Sequence, residues 1–209
     1  MKLFLSDFDG TIVEDGVLDA VAEINGIKNA SEKLRAENIA NDWKTTAPLV
    51  NLINSFNGIS KAQIKAQLDK NNFLVKGAKE LFAFLKSNGY VTVLHTGNIL
   101  PVAEYYKDLF GIDYLVCPKP KMNGNVIVGI TADDIVPNFK MHGCKEIIEK
   151  LRLDKKDIFV IGDSIVDLPV FELAGHRIAI NTKEGIEKHA DFEIKNHDLS
   201  EAINFLKRF

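Results

Sequence analysis

Two aspartates stand two residues apart in Asp7-Phe8-Asp9-Gly10-Thr11, directly after a short apolar run. Two more acids, Asp163 and Asp167, follow another apolar run in Gly162-Asp163-Ser164-Ile165-Val166-Asp167. Between these pairs come His95-Thr96-Gly97-Asn98, also behind an apolar run, and Lys140. Carboxylates gathered at one point repel one another unless a hard cation holds them, and oxygen-only ligands favour Mg²⁺. Mg²⁺ keeps several waters and shares its site with substrate phosphate. The Thr96 hydroxyl, the Lys140 ammonium and backbone amides near Gly97 are what the spare oxygens of a phosphoryl group require. With its charge screened, one aspartate can attack phosphorus and carry the group as an aspartyl-phosphate. The second, its pKa raised by the like charge close by, can protonate the leaving oxygen and later deprotonate the attacking water.

For these residues to meet, they must lie along one edge of one sheet. Six short apolar runs read as strands: Leu3–Leu5, Val91–Leu94, Tyr114–Cys117, Ile158–Ile161, Arg177–Ile180 and Phe192–Ile194. Most are too short for helices and lack alternation, which suits strands of a parallel sheet buried on both faces. Helical patterns lie between them at Ala78–Ser87, Lys140–Leu151 and Leu168–Ala174. Strands alternating with helices predict a doubly wound α/β fold, whose ligands bind beyond the carboxyl ends of the strands. From about Glu14 to Asn72 that rhythm stops, and four helical pieces take its place: Val17–Ile24, Ala30–Ile39, Trp43–Phe56 and Lys61–Leu68. The last is announced by Ser60-Lys61-Ala62-Gln63, a capping box. The expected division is a core of residues 1–13 and 73–209 with a helical cap, residues 14–72, inserted after the first strand. Asn123-Gly124 predicts a two-residue hairpin turn within Met122–Ile130.

The motifs resemble those of the haloacid dehalogenase-like phosphohydrolases. Asp7-Phe8-Asp9-Gly10-Thr11 is similar to the first motif of that superfamily, and Thr96, Lys140 and Asp163…Asp167 to its second, third and fourth, in the right order. The resemblance spans nearly the whole chain, with a small cap like that of the phosphoserine phosphatases. It implies a Rossmann-like core and a Mg²⁺-dependent phosphatase working through an aspartyl-phosphate. Asp7 would be the nucleophile and Asp9 the acid/base. Asp7, Asp9 through its carbonyl, and Asp163 would hold the metal, with Asp167 supporting it or the lysine. Thr96, Gly97 and Lys140 would bind the phosphoryl group, and Lys145 is the rival for the lysine's place. The substrate stays open. The family's cap glutamate, nine residues after the nucleophile, is Gly16 here, the asparagine usual before the last acid is Val166, and Arg35 comes earlier than the family's cap arginine. Arg35, Trp43 and Lys44 are the substrate-selecting candidates. A phosphotransferase or mutase would use the same intermediate, and a non-catalytic phosphate-binding module is the alternative of another class.

Composition narrows the partners. With 26 Lys+Arg against 29 Asp+Glu, the net charge of −3 gives no basic footprint for nucleic acid. No run approaches the ~18 apolar residues of a membrane span, and the N-terminal apolar stretch is too short for a signal peptide. Cys117 and Cys144 are too few for a disulfide framework and lie outside metal-ligand spacings. The expectation is a cytoplasmic enzyme acting on a small phosphorylated metabolite, with no nucleic-acid or membrane partner.

Overall fold

The computed structural model describes residues 1–41, 44–183 and 185–209. Its strands are β1 (Lys2–Ser6), β2 (Tyr90–His95), β3 (Tyr114–Val116), β4 (Lys121–Asn123), β5 (Val126–Gly129), β6 (Ile158–Gly162), β7 (His176–Ile180) and β8 (Phe192–Ile194). Six of them form one parallel sheet in the order β3-β2-β1-β6-β7-β8, while β4 and β5 make a separate antiparallel pair. The six predicted runs are the six strands of the sheet. Their lack of alternation has the expected cause, since both faces are covered. Leu3 and Leu5 pack in one layer with Val93, Val160 and Cys144; Phe4 packs in the other with Leu94, Phe159 and Ile161.

Register then places the chemistry. Ser6 at the end of β1 pairs with Leu94 on one side and Ile161 on the other. The residues that follow, Asp7, His95-Thr96 and Gly162-Asp163, therefore emerge side by side at one edge. Chain order reverses across β1, the crevice where open α/β sheets bind ligands.

The insert carries α1 (Val17–Ala22), α2 (Ala30–Ala40), α3 (Ala47–Asn54) and α4 (Lys61–Asp69). At the start of α4, Ser60 Oγ accepts from the Gln63 N–H at 3.2 Å and Gln63 Oε1 accepts from the Ser60 N–H at 3.0 Å. Val17, Val21, Ile53, Phe56, Ile64 and Leu68 share one hydrophobic cluster with Phe4, Phe8 and Ile12, so the insert is apolar where it meets the core. The β4–β5 hairpin is fastened to it. Ile127 exchanges backbone bonds of 2.9 Å with Gly58 and Ile59, and Asn54 brackets Ile130 through both its amide atoms. The hairpin turn is Gly124-Asn125, one residue later than the Asn123-Gly124 spacing predicts, because Asn123 still pairs with Val126.

The remaining helices are α5 (Ala78–Ser87), α6 (Leu100–Phe110), α7 (Phe139–Leu151), α8 (Leu168–Phe171) and α9 (Ser200–Leu206). Cys117 and Cys144 are free and buried. Among the described residues no helix is long and apolar enough to cross a membrane.

Candidate active site

Asp7 continues β1 by one residue, its N–H donating to the Ile161 carbonyl at 3.0 Å. Side chains alternate along a strand, so Asp7 leaves on the same face as Leu3 and Leu5, toward α7. There it meets Lys140, in the first turn of that helix, whose Nζ lies 2.6 Å from Asp7 Oδ1 and 2.9 Å from Asp167 Oδ1. One turn on, Cys144 faces the same layer and is fully buried. Lys145 points outward instead, 58% exposed and 3.9 Å from Glu149. Of the two lysines, Lys140 lies on the helix face turned to Asp7 and Asp167, and Lys145 on the outer face.

The other Asp7 oxygen accepts from Thr11 Oγ1 at 3.4 Å. The chain turns here on Gly10, at φ +78°, and a Cβ at that position would collide with the Asp163 carboxylate. Asp9 is clamped by Asn98, whose Nδ2 reaches its two oxygens at 3.0 and 3.2 Å. Thr96 is fully buried, its Oγ1 accepting from the Asn98 N–H at 2.9 Å. Asp167 is buried with Oδ2 unpartnered, in a space that a side chain on Gly162 would fill. Asp163 is paired with Lys183 at 2.8 Å.

The electrostatics follow from burial. Desolvation pushes the Asp7 carboxyl up to about 6, with the charge of Asp167 adding to the rise and Lys140 opposing it. Desolvation likewise pushes Asp9 up to about 7; the Asn98 hydrogen bond pulls it down, and the charge of Asp7 pushes it further up. The sequence predicts the neighbouring charge as the cause for Asp9, and the structure makes burial the larger one. Asp163 is raised to about 6, by burial and then by Asp7, against the pull of Lys183. Burial alone lowers a lysine's pKa, but Asp167 and Asp7 outweigh it and keep Lys140 an ammonium. His95 is fully buried, its Nδ1 3.8 and 3.9 Å from Asp7 and Asp167, too far to bond. Burial, and then Lys140, hold its pKa well below the usual value, so the ring is neutral.

Asp7, Asp9, Lys140, Asp163 and Lys183 open into a cavity of about 500 Å³, whereas His95, Thr96, Asn98 and Asp167 are not among the residues that line it. Its floor includes Asp7, Asp9, Gly97, Lys140, Asp163 and Lys183, and its wall includes Leu18, Leu34, Arg35 and Leu49 of the insert. Of the predicted selectivity residues, Arg35 lines the cavity and Lys44 does not; Trp43 lies outside the described residues. Asn98 and Lys183 are additions that the motifs do not single out. Both follow strand ends, and Lys183 lies beyond β7, the neighbour of β6.

The acids suit a hard divalent cation. Asp7 and Asp163 are oxygen donors at the adjoining ends of β1 and β6, with the Asp9 carbonyl two residues beyond Asp7, and the push of the Asp7 charge on the Asp163 carboxyl is what a cation between them would relieve. A second grouping, Asp7, His95 and Asp167, also offers three ligand atoms within 4.8 Å of one another, but the Lys140 ammonium already sits against both of its carboxylates.

A parallel sheet of this order, with a helical insert after β1 and the four motifs at its carboxyl edge, points to a hydrolase family. The chain belongs to the haloacid dehalogenase-like hydrolase family, which matches residues 4–172. Within it, the chain falls on the phosphoserine phosphatase-like branch. A phosphoserine phosphatase of Methanocaldococcus jannaschii is 24% identical, the match covering 99% of this chain and 98% of that protein. Another, of Campylobacter jejuni subsp. doylei, is 24% identical over 99% and 100%. A substrate-bound phosphoserine phosphatase structure shares the fold with a TM-score of 0.83 at 22% identity, covering 98% of this chain and 97% of that one. A phospho-aspartyl intermediate analogue of phosphoserine phosphatase gives 0.82 at 23%, covering 98% of both. The chain is thus an enzyme, a phosphatase of this family.

Proposed function

We propose that this enzyme is a cytoplasmic, Mg²⁺-dependent phosphomonoesterase that hydrolyses a small phosphorylated metabolite through an aspartyl-phosphate on Asp7. The observation that carries the reading is the Asp7 carboxylate at the cavity floor, with Lys140 at 2.6 Å and Asp9 two residues away. Asp7, the Asp9 carbonyl and Asp163 would hold Mg²⁺, which would supply the positive charge that lets an anionic carboxylate approach an anionic phosphate.

The protein's own groups do the rest. An Asp7 oxygen forms a bond to phosphorus as the ester oxygen departs with its electron pair. Asp9, near pH 7 in pKa and oriented by Asn98, gives that oxygen its proton. Water then attacks the aspartyl-phosphate, Asp9 takes its proton back, and inorganic phosphate leaves. Lys140, Thr96 and Gly97 receive the spare phosphoryl oxygens, while Asp167 keeps the Lys140 ammonium aimed. Arg35 and the apolar wall of Leu18, Leu34 and Leu49 face the rest of the substrate.

The relatives' names make phosphoserine the first compound to try. Asp15 is the acid that the start of the insert contributes to the cavity lining, and Lys183 pairs with it at 2.8 Å. The test is therefore a phosphate-release screen with Mg²⁺ over phosphoserine, phosphorylated hydroxy acids, neutral phosphate esters and p-nitrophenyl phosphate. Release from at least one small ester and from the aryl phosphate is expected. Folded protein that releases no phosphate from any of them overturns the reading, and transfer to an acceptor without free phosphate redirects it to a phosphotransferase.

A further inference from the structure

Lys183 is the cation of the cavity floor that the mechanism leaves unused. Its Nζ lies 2.8 Å from Asp163 Oδ2 and 2.8 and 3.1 Å from the two oxygens of Asp15. The side chain is 26% exposed and its partner Asp163 only 5%. The loop that carries it is tied down on both sides. The Lys183 N–H donates to the Asp163 carbonyl at 2.7 Å, and Asn181 Nδ2 donates to the Gly10 carbonyl at 3.4 Å. Asn181 takes a left-handed φ of +46°, a conformation an L-residue adopts at some cost, which aims the loop back at the β1 turn. A Cβ on Gly10 would lie 3.0 Å from the ammonium and collide with the Asp163 carboxylate, so glycine keeps open the space where they meet.

An ammonium seated on a carboxylate that a divalent cation needs is a competitor. The cation and the ammonium repel one another, and Asp163 cannot serve both fully. Lys183 has a second carboxylate to retreat to, Asp15, at the start of the insert. We propose that Lys183 is a place-holding cation: it occupies Asp163 before the metal arrives, yields that carboxylate when the metal binds, and stays on Asp15. Metal binding then exchanges one ion pair for another, and through Asp15 it changes how the insert is held to the core. This inference rests on the assignment of Asp163 as a metal ligand.

The test is calorimetric titration of the substrate-free protein with Mg²⁺. Lys183→Met is expected to bind Mg²⁺ about tenfold more tightly, the scale of one charge-assisted hydrogen bond no longer broken on binding. Asp15→Asn is expected to bind it more weakly, because the ammonium then has Asp163 alone. In the double variant the Asp15 effect should vanish, since there is no lysine to redirect. Additive effects in that cycle would show a general field of charges and overturn the exchange, as would unchanged or weaker binding by Lys183→Met. Asp163→Asn separates the two layers. If it leaves Mg²⁺ affinity intact, the metal assignment falls and the exchange with it; if it abolishes binding while Lys183→Met changes nothing, the exchange alone falls. Nitrogen-15 spectra of lysine side chains in the unmutated protein give a readout independent of folding of the variants. The Lys183 ammonium signal should move on saturation with Mg²⁺, and a signal that stays put would overturn the proposal.

Discussion

Replacing Lys140 by Met removes an ammonium that two buried carboxylates share. Asp7 and Asp167 lie 2.6 and 2.9 Å from Nζ, with side-chain exposures of 6% and 0%. Breaking a buried pair by deleting one partner costs about 3–5 kcal/mol, because the charge left behind has no counter-ion. Taking the lower end, a domain of this size should melt roughly 6–12 °C lower, at about 2–4 °C per kcal/mol. Added Mg²⁺ should narrow that gap by supplying positive charge to Asp7. Turnover should suffer more, since the same ammonium is proposed to receive the transferring group; losing one such donor costs about 10²–10³ in kcat. The assay is phosphate release at saturating Mg²⁺, paired with a thermal melt with and without the metal. Lys145→Met, one turn further and on the outer face, is the control and should change neither. A Lys140→Met protein within threefold of the parent rate, or one that melts with the parent, would refute the reasoning.

Three further outcomes follow from particular contacts. Asp9→Asn should slow phospho-enzyme formation from an alkyl phosphate by roughly 10²–10⁴-fold, but far less from p-nitrophenyl phosphate, whose leaving group needs no proton; rapid quench separates that step from hydrolysis, and equal losses on both would remove Asp9 as the acid. Gly77→Ala should destabilise the fold by about 1 kcal/mol or more without changing KM. Gly77 holds a φ of +82°, and its Cβ would lie 2.7 Å from the Ser200 backbone nitrogen at the start of α9. Asp198 is held down to about 2 by hydrogen bonds from Lys76 and Ser200. Its folded-state value lies below the unfolded one, so its contribution is present above pH 4 and fades as pH falls toward 2; urea melts of Asp198→Asn should show a deficit at pH 7 that closes by about pH 2.

The sheet was legible because a strand buried on both faces writes itself as an unbroken apolar run, and the four motifs stood at the ends of three such runs and the head of one helix. Position in space was harder to read. Lys140 and Lys145 differ only in which face of α7 they occupy, and that depends on how the helix docks on β2 and β3. Asn98 and Lys183 act through neighbours 89 and 20 residues away, Asp9 and Asp163. No local pattern announces such pairs, although the rule of looking beyond every strand end would have reached Lys183 after β7. α6 and α9 did not stand out either. α6 opens with Pro101 in its first turn, and α9 is only seven residues long. The hairpin's attachment to the insert combines backbone bonds to Ile127, which no side-chain pattern encodes, with the Asn54 side chain, 76 residues before its partner Ile130.

The central claim is that Asp7 carries the phosphoryl group. The most direct measurement is acid quench of the enzyme during turnover of a ³²P-labelled substrate, followed by peptide mapping of the labelled protein. The account predicts one acid-stable, hydroxylamine-labile label, on the peptide bearing Asp7, that is absent from Asp7→Asn. Label on another residue, or steady turnover with no labelled protein at any quench time in wild type and in Asp9→Asn alike, would contradict it.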